Sequence, residues 1–246
     1  VSVDTLDDDV AGFTIEETDG STEVDESGST DIFTIVLDAQ PTNDVVVLAT
    51  ASNDETEAMV SGSITFTSEN WDTPQTVTVT GVDDDLVDGD QTYDITISIV
   101  DTISDDEFDG VADQSVSSTT LDDDAPGFTI EETDAATEVD ESGSTDIFTV
   151  VLDAQPTSDV VLTITSDDTG EATVPASVTF TPVNWDTPQT VTVTGVDDDL
   201  VDGTITSTIT IAVYDSSSDD DFDGLDDQTV SVDTLDDDVA GFTIEE

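Results

Sequence analysis

Apolar residues alternate with polar ones along most of the chain, in short runs separated by clusters of Asp, Gly, Ser and Asn. A period of two places neighbouring side chains on opposite faces and indicates half-buried β-strands, and no stretch shows a helical period. In the run 31–38, Phe33, Ile35 and Leu37 share one face. The strands predicted for one repeat are 12–17 with a short second piece at 22–25, 31–38, 44–51, 63–67, 75–82, 92–100 and 114–121.

The chain repeats itself over the length of a whole domain. The stretch Thr5–Glu17 returns at 120–132 with two substitutions and at 234–246 without change. Its glycines Gly12, Gly127 and Gly241 are separated by 115 and then 114 residues. A period of this size is a domain rather than a solenoid unit. The predicted organisation is the end of a preceding repeat (1–11), domain 1 (12–126), domain 2 (127–240) and the start of a next repeat (241–246).

Seven short strands in about 100 residues, with turn residues between them, are typical of an immunoglobulin-like sandwich. The predicted fold class is therefore all-β, with tandem immunoglobulin-like, seven-stranded antiparallel β-sandwiches. An odd number of strands makes the chain leave each domain at the end opposite to the one where it began, so the domains would be joined head to tail. Trp71 and Trp185 are interpreted as residues that pack in the core or at its rim.

The charge of the chain cannot be balanced from within. Its 246 residues include 63 acidic side chains and no Lys, Arg or His, which gives a formal charge of −63. Repulsion of this size opposes a compact state, so divalent cations, high salt or both must offset it. Nucleic-acid binding and attraction to an anionic membrane are excluded, since both need cationic side chains. Without His or Cys, zinc sites and disulfides are also excluded, and general-base catalysis by histidine with them.

The acidic residues fall at one end of each predicted sandwich. If the strands run alternately up and down, the loops after the first, third, fifth and seventh strands lie at the same end. These loops carry Glu26, Asp54, Asp83, Asp84, Asp85, Asp122, Asp123 and Asp124 in the first repeat, and Glu141, Asp168, Asp197, Asp198, Asp199, Asp236, Asp237 and Asp238 in the second. A convergent set that occurs twice predicts a metal site.

The loop before the last strand carries a second acidic pattern. Acids stand at its positions 1, 3, 5 and 9 with Gly at position 6, as in the first half of a calcium-binding loop. These residues are Asp105, Glu107, Asp109 and Asp113 in the first repeat, and Asp219, Asp221, Asp223 and Asp227 in the second. Val116 stands where an EF-hand has its bidentate Glu, so the loop is not an EF-hand. By strand parity this loop would face the acids of the preceding domain, which predicts a joint between domains lined by acids from both sides. Hard oxygen ligands in this number favour Ca²⁺ over Mg²⁺.

Four stretches of the chain resemble the Calx-β family, the calcium-binding module of sodium–calcium exchangers and of many bacterial surface proteins. They are Glu26–Thr30, Gly81–Gly89, Tyr93–Ile97 and Leu121–Glu132. The resemblance implies calcium held by the convergent acids named above. Where the family has an acidic segment before its fourth strand, this chain has only Glu57 and Glu171 followed by small or apolar residues, so the number of ions stays open.

Near-identical domains in series with no catalytic constellation predict a structural role. The predicted function is a non-catalytic, calcium-stabilised repeat segment of an extracellular fibre or cell-surface adhesin stalk, with several Ca²⁺ ions per domain. Its predicted partners are neighbouring repeats joined head to tail, and identical chains if the protein forms a filament. The main competing hypothesis is a calcium-sensing regulatory module. The sequence also leaves open a hydrolase with paired carboxylates and a salt-adapted protein without a specific site.

Overall fold

The chain divides into two compact units in a computed structural model that describes residues 8–52 and 56–244. Among the described residues, unit 1 comprises 8–52, 56–84 and 89–123, and unit 2 comprises 85–88 and 124–244. The division falls after Asp123, close to the predicted boundary at 126. Parts of the predicted terminal segments, 1–7 and 245–246, lie outside the described residues, as does Asp54.

Unit 1 is a sandwich of two sheets. One sheet has the strand order β1-β3-β7-β5 and the other β2-β9-β8-β4-β6. The strands are β1 Phe13–Glu17, β2 Thr22–Asp25, β3 Thr30–Leu37, β4 Val45–Ala51, β5 Ala58–Val60, β6 Ser63–Phe66, β7 Gln75–Gly81, β8 Gln91–Ile99 and β9 Gln114–Leu121.

Unit 2 repeats this arrangement strand for strand. Its sheets have the orders β10-β12-β16-β14 and β11-β18-β17-β13-β15. The strands are β10 Phe128–Glu132, β11 Thr137–Asp140, β12 Thr145–Leu152, β13 Val160–Ser166, β14 Ala172–Thr173, β15 Ser177–Phe180, β16 Gln189–Gly195, β17 Ile205–Val213 and β18 Gln228–Leu235.

The all-β class agrees with the sequence prediction, but seven antiparallel strands per domain is wrong in two respects. The described part of each unit has nine strand segments, because the first predicted strand is split between the two sheets and a short strand, β5 or β14, was not foreseen. In addition, β2 pairs parallel to β9 and β11 pairs parallel to β18. Because of this split, each sheet gains one edge strand: β1 pairs with β3 in one sheet, and β2 pairs with β9 in the other.

The inward faces of the strands build one hydrophobic core in each unit. Phe33, Ile35 and Leu37 of β3 are all buried, as the alternation predicts. Burying such side chains contributes about 1.5–3 kcal/mol each and is the main favourable term in folding. Trp71 and Trp185 are partly buried and pack against the cores of units 1 and 2, in agreement with a packing role.

Helical structure is limited, within the described residues, to 3-10 turns of three residues each. They are Asp101–Ile103, Asp106–Phe108, Thr133–Ala135, Asp215–Ser217 and Asp220–Phe222. Among the helices of the described chain, none has the length and apolar character needed to cross a membrane.

Candidate metal centre

The parallel pairing of β11 with β18 brings two acidic segments together in unit 2. In a parallel pair both strands end at the same edge, and here Asp140 lies opposite Leu235. The amide of Glu141 continues the pairing by donating to the carbonyl of Leu235 at 3.1 Å. Glu141 therefore follows directly beside Asp236, the first residue after β18.

A close approach of two backbones brings the third acidic segment to the same place. At the end of β16, Gly195 lies so near the carbonyl oxygen of Asp140 that a Cβ atom would overlap it. The amide of Gly195 donates to Ser144 O at 3.0 Å, and the amide of Val196 donates to Glu171 O at 2.9 Å. The loop that follows β16, with its aspartates, thus begins beside both Glu141 and Glu171.

Asp236 fixes the loop before β17 to the segment after β18. One carboxylate oxygen, Oδ2, accepts a hydrogen bond from the amide of Gly203 at 2.7 Å. The other, Oδ1, accepts one from the amide of Asp238 at 2.8 Å. These bonds hold Asp202, the neighbour of Gly203, at the edge where Glu141 lies.

In the described part of unit 2, six acidic side chains form three groups of three, and in each group one carboxylate oxygen from each residue lies within 4.8 Å of the others. Every pair of groups shares one residue, so Glu141, Asp198 and Asp202 each belong to two groups. A carboxylate has two oxygens and can serve two neighbouring cations. The groups are Glu141, Asp202 and Asp236; Glu141, Asp198 and Asp238; and Glu171, Asp198 and Asp202.

Burial distinguishes this cluster from an ordinary acidic surface. Glu141 is 0% exposed and Glu171 is 7% exposed. Both carboxylate oxygens of Glu141 are buried and have no hydrogen-bonding partner among the described residues, and the same holds for Oε2 of Glu171 and Oδ2 of Asp238. A buried charge without a partner is strongly unfavourable, so these groups must bind a cation or carry a proton.

The pKa values of the cluster move in the directions that this environment requires. Burial first, and then the charge of Asp236, raise the pKa of Glu141, while the nearby amide of Asp237 lowers it by less. Burial and the charge of Asp202 raise the pKa of Glu171. In contrast, hydrogen bonds from the amides of Gly203 and Asp238 lower the pKa of Asp236. A low pKa keeps Asp236 ionised.

The donor set fits a hard divalent cation. All six side chains offer carboxylate oxygens, the ligands of Ca²⁺, and the chain has no Lys, Arg or His that could neutralise them instead. Several carboxylates crowded at one edge suit the six to eight oxygen ligands of Ca²⁺ better than Mg²⁺, which keeps more of its water.

Unit 1 has the same elements in the same positions. Glu26 is 1% exposed, and its amide donates to Leu121 O at 3.1 Å. The oxygens of Glu26 and Asp122 lie within 4.8 Å of each other. Oδ2 of Asp122 accepts a hydrogen bond from the amide of Gly89 at 2.7 Å, as Asp236 does from Gly203. Asp85 and Asp124, also predicted from the sequence, belong to unit 2.

Only part of the convergent set predicted from the sequence enters these groups. In unit 2 the groups include Glu141, Asp198, Asp236 and Asp238. Asp168 lies outside them, although its charge contributes to the raised pKa of Glu171. The other predicted acids of this set are exposed and outside the groups: Asp83, Asp84 and Asp123 in unit 1, and Asp197, Asp199 and Asp237 in unit 2.

Two ligand candidates, Glu171 and Asp202, were not predicted. Each is a single acid beside a small residue, and both surroundings recur in the first repeat as Glu57-Ala58 and Asp88-Gly89. The recurrence of an acid next to the same small residue in both repeats is the signal by which these two ligand candidates could have been found. Ala172 is fully buried and pairs with Gly195, which fixes Glu171 beside the end of β16.

The loop before the last strand uses its first acid to anchor the loop itself. Asp105 is 4% exposed, and its Oδ2 accepts hydrogen bonds from the amides of Thr42 and Asn43, both at 2.7 Å. Its Oδ1 accepts one from the amide of Glu107 at 3.2 Å and so caps the following 3-10 turn. Asp219 does the same in unit 2 with Ser158 and Asp221.

The remaining acids of this loop do not join the three-residue groups found among the described residues. Asp223 has one buried oxygen, Oδ1, without a hydrogen-bonding partner. A metal site in this loop stays a prediction. The exposed members are Glu107, Asp109 and Asp113 in unit 1, and Asp221 and Asp227 in unit 2.

We expect Asp105→Ala to destabilise unit 1 by about 1–3 kcal/mol at neutral pH, because the amides of Thr42, Asn43 and Glu107 lose the carboxylate that holds the loop together. Hydrogen bonds from Asn43 and Thr42 lower the pKa of Asp105, so its contribution is present above the pKa of an unfolded Asp and is lost as pH falls through the folded pKa. The difference between variant and wild type in urea denaturation should therefore shrink in acid. Asp113→Ala, an exposed change in the same loop, should show no such pH dependence. A deficit that persists at low pH would contradict the expectation.

No protein-family model matches the chain, and no curated protein matches it. Solved structures with some likeness include the calcium binding domain CBD12 of CALX1.1, at 15% identity and TM-score 0.32, covering 81% of this chain and 80% of that chain. Domains 4 and 5 of the S-layer protein SbsC match at 16% identity and TM-score 0.34, covering 93% and 100%. The titin domains z1z2, solved in complex with telethonin, match at 10% identity and TM-score 0.37, covering 95% and 96%. All three TM-scores are low.

Proposed function

We propose that each repeat is a calcium-binding, non-catalytic structural module of the Calx-β type, and that the chain is a segment of an extracellular fibre or cell-surface stalk. The observation that carries the proposal is Glu141, a fully buried carboxylate whose two oxygens have no hydrogen-bonding partner in the described part of the chain, which has no cationic side chain. Its equivalent Glu26 is buried at the same place in unit 1. A folded state with these carboxylates ionised needs bound cations.

The overlap of the three groups supports three calcium ions in unit 2. Each group would hold one ion, and the three shared residues would bridge neighbouring ions. Six carboxylates carry six negative charges, which three divalent ions balance. Bridged ions also make binding cooperative, because a residue that one ion has fixed is then in place for the next.

The position of the cluster supports a structural role. The groups join the segments that follow β11 and β18 to the loop before β14 and to the loop after β16. Bound ions would therefore tie both sheets together at one edge. Since the unfolded chain lacks this preformed site, binding free energy adds to folding stability. Extracellular calcium-binding modules have dissociation constants of about 10⁻⁴–10⁻³ M, a concentration range found outside cells. The joint between repeats lined by acids from both domains stays a prediction.

Calorimetric titration of the metal-free chain tests the proposal directly. We expect about three ions per repeat and a half-saturation near millimolar, together with a rise in the unfolding temperature. NaCl at matched ionic strength, or Mg²⁺, should raise the unfolding temperature much less. Equal stabilisation by NaCl would instead show a salt-adapted protein without a specific site. Half-saturation near micromolar would favour the calcium sensor.

A further inference from the structure

Unit 2 contains a short extended segment seated on its surface. Asp85–Asp88, with the sequence Asp-Leu-Val-Asp, belongs to unit 2, and Leu86 forms a parallel β-bridge with Gln155. The amide of Val87 donates to Gln155 O at 3.0 Å, and the amide of Gln155 donates to Asp85 O at 2.6 Å. Val87 is 6% exposed and is part of the hydrophobic core of this unit.

Unit 1 carries the same receiving surface, and no described segment pairs with it. Ala39-Gln40-Pro41 repeats Ala154-Gln155-Pro156, and the side-chain amide of Gln40 donates to Ser68 O at 2.8 Å as that of Gln155 does to Pro182 O. Gln40 is exposed and forms no β-bridge with any described residue, whereas Gln155 is half-buried and bridged. Beside Gln40 lies an open pocket of about 650 Å³ whose apolar lining includes Phe108 and Val111.

The seated sequence also has an unseated copy. Asp199–Asp202 in unit 2 again reads Asp-Leu-Val-Asp. Here Leu200 is 61% exposed, Val201 is 57% exposed, and neither is paired in a strand. The two neighbouring side chains together form a small exposed apolar patch between aspartates.

We infer that the Asp199–Asp202 segment of one chain adds as a short parallel strand to Gln40 of a second copy of this chain, with Val201 entering the pocket beside Gln40. The same geometry is already present in unit 2, where the segment Asp85–Asp88, with the same sequence, pairs with Gln155 of the sequence Ala-Gln-Pro. Addition of a strand to free main-chain groups, with a side chain in a pocket, is a known mode of peptide recognition. Because donor and acceptor lie on different units, each chain can both give and receive, and association would be open-ended.

Two features limit the strength of the association. Four residues bury little surface, so the contact belongs with weak interfaces. Asp9, Asp105 and Glu107 also line the pocket, and they repel the acidic segment in the absence of cations. Leu200 and Val201 lie between Asp198 and Asp202, two of the candidate ligands, so calcium would also order the donor segment. That last step rests on the proposed function, and the strand addition itself does not.

Disulfide trapping between two separate variants tests the inference, because the chain has no Cys of its own. Leu200→Cys in one preparation and Gln40→Cys in another place a thiol at each position of the expected bridge, where Cα atoms come close enough for a disulfide. Both residues are exposed, so neither change should impair folding. On mixing under mild oxidation, with calcium, we expect a covalent heterodimer in at least several-fold excess over Val183→Cys mixed with Gln40→Cys. Val183 is 90% exposed and lies elsewhere on unit 2.

A second variant separates this inference from calcium binding. Val201→Asp combined with Leu200→Cys should lose the excess of cross-linked product and still bind calcium in the titration, because Val201 is in none of the acidic groups. Equal cross-linking of the Leu200→Cys and Val183→Cys preparations would overturn the inference. Calcium binding in the same samples would show that the proposed function stands without it, and cross-linking without calcium binding would show the reverse.

Discussion

Replacing Glu141 with Gln should destabilise unit 2 when calcium is present and stabilise it when calcium is absent. With calcium, the variant should be the less stable protein, because Glu141 belongs to two of the three groups and its loss should weaken binding there by roughly 10- to 100-fold. Without calcium, the variant should be the more stable protein at neutral pH, because a buried carboxylate without a partner is removed.

The sign of the metal-free effect follows from the raised pKa of Glu141. A carboxyl group whose pKa is higher in the folded than in the unfolded state contributes stability below its unfolded pKa and loses that contribution as pH rises through the folded pKa. Wild type and Glu141→Gln should therefore be similar in acid and diverge as pH rises. Urea denaturation with calcium and with chelator measures both effects.

Glu138→Gln is the matched control for this experiment. It makes the same chemical change three residues earlier, within β11, but Glu138 is exposed and lies outside the groups. The control should follow wild type in both conditions. If Glu141→Gln were less stable than wild type in chelator as well, Glu141 would be making an ordinary stabilising interaction, and the argument for a bound cation would fail.

The sequence predicted the long strands well, because their pattern depends on which face is buried. β9 was predicted at its observed bounds, and β3, β7 and β8 to within a residue or so. The short strand β5 was missed, since only Ala58 of its three residues is buried and three residues are too few to show a period. Its existence depends on pairing with β7, a contact distant in sequence.

The sequence predicts at which end of the sandwich the acids gather, but it does not predict which acids form the groups. Strand parity predicts that the acids after alternate strands share one end, and Glu141, Asp198 and Asp236 do lie in overlapping groups. However, the chain has 63 acidic residues, and apart from a small neighbouring residue nothing in the sequence distinguishes Glu171 or Asp202 from the other acids. What selects these residues is the parallel end of β11 beside β18 and the pairing of β14 with β16, and neither direction of pairing is visible in the alternation.

Among the described glycines of unit 2, Gly195 should be the one at which substitution by Ala is most damaging. The new Cβ would overlap the carbonyl oxygen of Asp140, and backbone on both sides leaves no flexible side chain that could move away. Either β16 or β11 must shift, which we expect to cost about 3 kcal/mol or more. The same shift would carry Glu141 away from Asp198, so calcium affinity should fall along with stability.

Gly224→Ala makes the same change where a Cβ would meet no atom within 4 Å, and it should leave both stability and calcium affinity near the wild-type values. Each unit has one tryptophan, so in a Trp71→Phe background the fluorescence of Trp185 follows the unfolding of unit 2 alone. A Gly195→Ala variant that unfolds at the wild-type urea concentration would show that the two backbones are not held in close approach. A variant that loses stability but keeps full calcium affinity would show that the position of Glu141 does not depend on the end of β16.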